Sequence, residues 1–317
     1  MDPLELCYMS AAELSRLVES REVSPVEIVE AHLARIDATE PVLNSFITLL
    51  PEEARSAARR AEREIQAGAY RGPLHGIPVA LKDLYNTAGV RTTFGSRLME
   101  DNVPGTDAVA VARLKAAGAI IVGKTTTPEF AHKLLTDAPL FGTTRNPWHP
   151  DLTAGGSSGG EGSAIASGMS PLGLGNDIGG SVRNPAFCCG ITSIKPSHGR
   201  LPTYSIFEHD QDPPLSFQIM ATEGPMARSV ADLRTAMEVL QGRDPRDPRS
   251  VTVPLDGPTV PRRAAIVADM DGTTCHQSVV DGVTRAADAL AAAGWEVSVD
   301  ELFDTTIIDG IYEEYPE

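Results

Sequence analysis

The sequence predicts an α/β fold, and three observations lead to this prediction. The 317 residues include 42% hydrophobic and 22% charged side chains, which is sufficient for a packed core. The first third of the chain shows helical periodicity, and short apolar strands then alternate with helices. Such alternation is typical of a β-sheet that carries helices on both faces.

The N-terminal segment, residues 1–70, is predicted to be helical. Two capping boxes, each a serine followed three positions later by glutamate, begin at Ser10 and Ser24. The helix after Ser24 carries an apolar stripe and is expected to stop at Pro41, since proline disrupts a helix interior. Residues 52–67 are rich in Ala, Glu and Arg and predict a further helix.

The rest of the chain alternates between the two kinds of element. We predict strands at 77–81, 119–122, 264–267 and 295–299 and helices at 107–117 and 276–293. We expect one domain over 1–317, consisting of the N-terminal helical segment 1–70, a core 71–241 and the start of a C-terminal β/α part 242–317. No fixed-period repeat interrupts this scheme.

Charge and composition narrow the functional class. The net charge of −16 disfavours binding to nucleic acid or to anionic membranes. The N-terminal residues lack the pattern of a secretory signal, and no apolar run is long enough to span a membrane. The four cysteines have no metal-site spacing. We therefore expect a cytoplasmic enzyme that acts on a small molecule and binds neither nucleic acid nor membrane.

Residues 155–181 contain two glycine-rich runs that both carry serines. Ser157 and Ser158 lie in the first run, and Ser181 closes the second. A short helix and a short strand between the runs would return the chain, so that the two runs lie side by side. Backbone N–H groups just before Ser181 could form an oxyanion hole for an acyl-transfer reaction, namely those of Ile178, Gly179 and Gly180.

A serine nucleophile needs a base, and neither run contains a histidine. A lysine serves as a base when burial lowers its pKa, and Lys82 follows the predicted buried strand 77–81. The alternative is that Lys82 extends its ammonium group to solvent or forms an ion pair with Asp83, and spacing alone favours this alternative.

These segments strongly resemble the amidase signature family. The resemblance is densest over residues 72–202, in GPLHGIPVALKDLYNTAGVRTTFGS, FGTTRNPWHP, GGSSGGEGSA, PLGLGNDIGGSVRNPAFCCG and IKPSHGRLP. It is specific, because several long blocks occur in the family's order. It implies a mixed central β-sheet with helices on both faces and a chemistry that uses no metal or organic cofactor.

The resemblance also implies residue roles. Lys82 resembles the catalytic lysine, Ser181 the nucleophile, and Ser157 the relay serine that follows a cis peptide bond. The two serines are 24 positions apart, which matches the family's spacing. The implied reaction is hydrolysis of a carboxylic amide through an acyl-enzyme. Three further residues are implied to support the site: Ser158, which would orient Lys82, and Asp177 and Arg183, which would brace the nucleophile loop.

The sequence departs from the family in two respects. Asn176 stands where the family usually has threonine, and both side chains can form hydrogen bonds. The chain is also shorter than most family members, so we expect it to lack a C-terminal part that completes the sheet. Homodimers are common in the family, and a homodimer is expected as one possible assembly.

Four alternatives stand beside the amidase interpretation. The family also includes the glutaminase component of tRNA-dependent amidotransferases, their A subunit, and a shortened homologue could be inactive. Gly156–Gly160 fits the G-x-S-x-G pattern of α/β-hydrolases, but the residues before it are a poor strand. Asp269–Thr273 resembles the motif of aspartate-based phosphatases, and we interpret it as a β/α turn.

Overall fold

A six-stranded mixed sheet lies at the centre of the computed structural model, which describes residues 1–203, 215–267 and 275–299. Its strands are β1 (Phe46–Leu49), β2 (Pro78–Lys82), β3 (Ile120–Thr125), β6 (Leu172–Asp177), β7 (Thr192–Ser193) and β8 (Thr222–Ala227), in the order β1-β3-β2-β6-β8-β7. β2 runs parallel to β3 and β6, whereas β1, β7 and β8 run antiparallel to their neighbours. Between β3 and β6 lies a small hairpin of β4 (Asp137–Ala138) and β5 (Gly142–Thr143).

Helices flank this sheet. They are α1 (Pro3–Tyr8), α2 (Ala11–Glu19), α3 (Pro25–Leu43), α4 (Pro51–Gln66), α5 (Val109–Ala116), α6 (Gly159–Ala166), α7 (Arg183–Cys189), α8 (Leu215–Met220) and α9 (Val230–Leu240). Apolar residues of α3, α4 and α6 pack with buried residues of β2 and β3 in one cluster that includes Val29, Ala54, Ala80, Val122 and Ala164. The mixed α/β architecture predicted from the sequence is confirmed.

The N-terminal helices begin as predicted but end differently. Both capping boxes form, with the Ser10 and Ser24 hydroxyls accepting from the backbone N–H three residues ahead. The expectation that Pro41 stops α3 is wrong, because the helix continues to Leu43. Proline removes a single N–H donor in the last turn, and the helix ends instead at Asn44, whose left-handed φ of 53° turns the chain.

The chain divides by its internal contacts into two units, Met1–Val253 and Pro254–Glu317. The described part of the second unit holds β9 (Arg263–Ile266), α10 (Gln277–Ala292) and β10 (Glu296–Val299), with the two strands parallel. Residues 269–273, which resemble the phosphatase motif, lie outside the described residues. The single domain with three segments stays a prediction. Within the described residues, no helix combines the length and the apolar character that a membrane span requires.

The partly buried guanidinium of Arg228 joins the first helix to the segment between α6 and β6. Arg228 donates to the carbonyl oxygens of Cys7 and Met9 at 3.0 and 2.7 Å. It also donates to those of Ile165 and Ser170 at 2.8 and 3.1 Å, at the connection between α6 and β6. The first helix is therefore held against the segment that links the two glycine-rich runs.

Candidate active site

The parallel strands β2 and β6 bring their carboxyl ends to the same edge of the sheet, and Lys82 is the last residue of β2. Its side chain is fully buried. Lys82 Nζ lies 2.6 Å from Ser157 Oγ and 2.8 Å from Asn176 Oδ1, both within hydrogen-bond distance. Burial lowers the pKa of Lys82 to about 7, although nearby carboxyl groups partly offset this effect.

Asp83 does not pair with Lys82. Its Oδ1 atom lies 3.5 Å from Lys124 Nζ, and its Oδ2 atom accepts hydrogen bonds from the Thr93 N–H and hydroxyl at 2.8 and 2.5 Å. Successive side chains at the end of a strand point to opposite faces of the sheet, which separates Lys82 from Asp83. The ion pair that spacing alone favoured is therefore absent from the structure.

Ser157 lies two residues before α6, next to the N-cap residue Ser158, and is buried. The peptide bond between Gly156 and Ser157 is cis, as the family resemblance implies. A Cβ atom at Gly156 would come within 2.6 Å of the Leu134 carbonyl carbon and 2.7 Å of the Leu135 nitrogen. Only glycine therefore allows residues 134 and 135 to pack this closely against the site.

Ser181 lies in the loop between β6 and α7, and it is partly exposed. The Ser158 N–H donates to the Ser181 carbonyl oxygen at 3.1 Å, so the two glycine-rich runs lie side by side. A buried lysine and serine therefore adjoin a solvent-accessible serine, which is the arrangement that attack on an external substrate needs.

Asp177 organises the loop that carries Ser181. Its carboxylate accepts hydrogen bonds from the Gly180 and Val182 N–H groups at 2.7 and 3.0 Å. The Arg183 guanidinium donates to it in a bidentate manner at 2.8 and 3.0 Å. Burial alone would raise the pKa of Asp177, but these hydrogen bonds outweigh it and lower the pKa, so the group is ionised.

This arrangement changes the expected oxyanion hole. The Gly180 N–H is not free, because Asp177 folds back over its own loop and takes it. Within the part of the chain that the structure describes, three neighbouring N–H groups donate to no protein acceptor: those of Ile178, Gly179 and Ser181. The expectation for Gly180 is corrected accordingly, and Ser181 takes its place as a possible donor.

Ser158 also differs from its expected role. Its hydroxyl is buried and has no hydrogen-bond partner among the described residues, so it does not orient Lys82. It faces Gly175, where an added Cβ would lie 2.6 Å from Ser158 Oγ. The second partner of Lys82 is Asn176, which lies on β6 in the position to reach Nζ from the neighbouring strand.

Two buried glutamates near Lys82 were not anticipated. Glu161 forms a hydrogen bond with the Thr125 hydroxyl, and its Oε2 atom has no partner among the described residues. Glu223 forms a hydrogen bond with Tyr85. Burial raises the pKa of each carboxyl to about 8. Glu161 stands out in sequence as the lone charge among residues 155–176, but no local pattern marks Glu223.

Comparison with known proteins places this geometry in context. The profile of the family described as Amidase matches residues 27–312. The indoleacetamide hydrolase of Bradyrhizobium diazoefficiens is 42% identical over 306 residues, which are 96% of this chain and 58% of that protein. The glutamyl-tRNA(Gln) amidotransferase of Chloroflexus aurantiacus has an A subunit that is 41% identical over 299 residues, which are 93% of this chain and 59% of that protein.

Solved structures show the same relationship. A bacterial aryl acylamidase of the amidase signature enzymes superimposes with a TM-score of 0.85 and 31% identity, over 96% of this chain and 64% of that one. The chain thus spans somewhat more than half the length of the curated relatives that it matches.

Proposed function

The chain belongs to the amidase (amidase signature) family, and from this premise we propose that it hydrolyses a carboxylic amide with Ser181 as nucleophile. The observation that carries the proposal is the 2.6 Å separation between the fully buried Lys82 Nζ and Ser157 Oγ. A lysine whose pKa lies at about 7 is partly unprotonated at neutral pH and can accept a proton.

The proposed first step transfers two protons. Neutral Lys82 keeps an N–H bond to Asn176 Oδ1 and directs its lone pair at the Ser157 hydroxyl. Ser157 gives its proton to Lys82 as it takes the proton of Ser181. The Ser181 oxygen then attacks the amide carbonyl and forms a tetrahedral intermediate.

The negative oxygen of that intermediate needs hydrogen-bond donors. We assign this role to the N–H groups of Ile178, Gly179 and Ser181, which have no protein acceptor in the described structure. Preorganised N–H donors of this kind commonly supply the largest single part of transition-state stabilisation, with one donor worth about 10²–10³ in rate.

Collapse of the intermediate breaks the C–N bond. The amine leaves with a proton from Ser157, which regains one from the Lys82 ammonium, so Lys82 returns to its neutral form. Water then attacks the acyl group on Ser181 through the same relay and releases the acid. Lys82, Ser157 and Ser181 therefore end the cycle with the same protons with which they began.

The relatives suggest a substrate class. One curated relative is named for indoleacetamide, and one solved structure is an aryl acylamidase. We propose a linear amide with an aryl or small aliphatic group as the substrate.

A second candidate function is that of the glutaminase component of an amidotransferase. It is favoured by the relatives of that kind, whose identity of 41% is nearly that of the hydrolase. A component of such a complex would copurify with its partner proteins, whereas a free amidase would act without them, so affinity purification from the source cell separates the two.

Reaction with a fluorophosphonate probe tests the proposal. We expect the wild-type chain to be labelled, Ser181→Ala to be unlabelled and Lys82→Ala to react at least about 10²-fold more slowly. Ser20→Ala, which removes an exposed serine at the end of α2, is the matched control and should react like wild type. A folded wild-type chain that does not react would contradict the proposal, and labelling that survives Ser181→Ala would assign the nucleophile elsewhere.

A further inference from the structure

Tyr85 and Glu223 form a buried pair beside the proposed base. Tyr85 lies three residues after Lys82 and is fully buried, and Glu223 on β8 is 2% exposed. The Tyr85 hydroxyl lies 2.6 Å from the Gly175 carbonyl oxygen and also forms a hydrogen bond with Glu223 Oε2. One phenol oxygen thus contacts two oxygen atoms.

The number of protons that these hydrogen bonds need determines the protonation state of Tyr85 and Glu223. A tyrosine hydroxyl carries one proton, and a carbonyl oxygen only accepts hydrogen bonds. The Tyr85 proton therefore belongs to the bond with Gly175, and the bond between Tyr85 and Glu223 needs a second proton. That proton has to come from Glu223, which is then a neutral carboxylic acid that donates to Tyr85. Burial, the main cause, raises the pKa of Glu223 and favours the neutral acid, whereas a Tyr85 hydroxyl that donated to the carboxylate would lower that pKa.

The pair adjoins Lys82 through strand β6. Glu223 lies directly opposite Asn176 in the antiparallel pairing of β6 with β8, so both side chains are on the same face of the sheet. Asn176 in turn accepts a hydrogen bond from Lys82. The titratable and charged groups that face Lys82 from the surrounding elements are Glu161 on α6, Asp177 on β6, Glu223 on β8 and Tyr85 after β2.

The carboxyl groups among them differ in whether a partner neutralises their negative charge. Asp177 is ionised, but Arg183 and backbone N–H groups neutralise its field. Among the described residues, an ionised Glu223 would have no such partner, because its observed contact is a hydroxyl whose proton is engaged with Gly175. Its negative charge would stabilise the ammonium form of Lys82, which cannot act as a base.

We propose that Tyr85 acts as a positioning residue that holds Glu223 in its neutral form and thereby keeps Lys82 available as a free base. The inference rests on the function proposed above, since it concerns the protonation of the same lysine. Loss of the Tyr85 hydroxyl removes the acceptor of the Glu223 proton, so Glu223 ionises more easily and Lys82 holds its proton to higher pH.

A double-mutant cycle on the full chain tests this coupling. The rate of fluorophosphonate labelling is measured against pH for wild type, Tyr85→Phe, Glu223→Gln and the double variant, with Tyr70→Phe as a control tyrosine that contacts Ser15. We expect Tyr85→Phe to move the acid limb of the profile upward by about one pH unit. Glu223→Gln is always neutral, so its acid limb should lie at or below that of wild type.

The double variant separates electrostatic coupling from structural damage. With glutamine at position 223 there is no carboxyl to ionise, so the Tyr85→Phe shift should disappear. A shift that persists in the double variant, or no shift in Tyr85→Phe, would overturn the inference. Thermal unfolding of each variant checks that the profiles come from folded protein.

An infrared measurement tests the pair without catalysis. The C=O stretch of a neutral carboxylic acid should be present in wild type at neutral pH and lost in Glu223→Gln. If this difference is absent, the inference fails even where labelling is normal. If labelling is absent and the band is present, the proposed function fails while the neutral pair stands.

Discussion

Lys82 and Asp83 are consecutive residues whose charged groups have different partners. Lys82 Nζ lies 2.6 Å from Ser157 Oγ, and Asp83 Oδ1 lies 3.5 Å from Lys124 Nζ. The strand places the two side chains on opposite faces, so the carboxylate next in sequence does not hold a proton on Lys82. A buried lysine without an ion-pair partner is able to function as a base near neutral pH.

The rate of fluorophosphonate labelling should depend on this lysine's pKa. Because burial lowers the pKa of Lys82 from its ordinary value of 10.5 to about 7, the free base predominates above about pH 7 and the ammonium below it. We expect the rate to fall about tenfold for each pH unit below this value and to level off above it. A rate that stays constant across this range would show that Lys82 does not limit the reaction.

Asn176 should influence the same profile. In Asn176→Asp, a carboxylate would lie within hydrogen-bond distance of Lys82 and favour the ammonium, so labelling at neutral pH should fall at least about tenfold. Asn176→Thr keeps an uncharged acceptor and serves as the control, with labelling within a few-fold of wild type. Equal losses in the two variants would mean that side-chain shape, not charge, is what matters at this position.

Gly180 in the nucleophile loop should not tolerate replacement by alanine. Gly180 has a φ of +126°, which an L-residue rarely adopts, so Gly180→Ala should strain the loop by about 1–3 kcal/mol and slow labelling at least tenfold. At the exposed Gly257, outside the site, an added Cβ would meet nothing within 4 Å, so Gly257→Ala is the control and should label normally. Normal labelling of Gly180→Ala would show that the loop tolerates another conformation.

The buried pair of Lys124 and Asp83 should be important for stability. Lys124→Met leaves a buried carboxylate without its cation, and we expect the free energy of unfolding to fall by about 3–5 kcal/mol, as measured by denaturant titration. Lys115 forms a partly exposed ion pair with Asp107, so Lys115→Met should change it by about 1 kcal/mol or less. If both variants lost a similar amount of unfolding free energy, the buried pair would contribute no more to stability than the exposed one.

Much of the fold was predictable because its signals are local. The capping boxes at Ser10 and Ser24 use residues three positions apart, and the strand before Lys82 is a continuous apolar run, so each could be identified from a short window. The end of α3 was predicted wrongly because Pro41 is a strong local signal. In the last turn of a helix, however, its cost is small, and Asn44 provided the actual end.

The candidate site was predictable in its residues but not in its hydrogen bonds. Nothing in the order of residues shows that the Asp177 carboxylate takes the Gly180 N–H, or that Asn176 and not Ser158 reaches Lys82. Glu223 could not be anticipated at all, since it comes to the site through the pairing of β8 with β6, from a strand about 140 positions after Lys82.

The hydrogen bonds of Arg228 also set the time during synthesis at which the contacts of α1 can be completed. Cys7 and Met9 are synthesised more than two hundred positions before Arg228, whose guanidinium donates to their carbonyl oxygens. At a translation speed of about 5–20 residues per second, the first helix waits for at least about ten seconds before its final contacts exist. The segment around α1 thus acquires its hydrogen bonds with Arg228 only after most of the first unit has been synthesised.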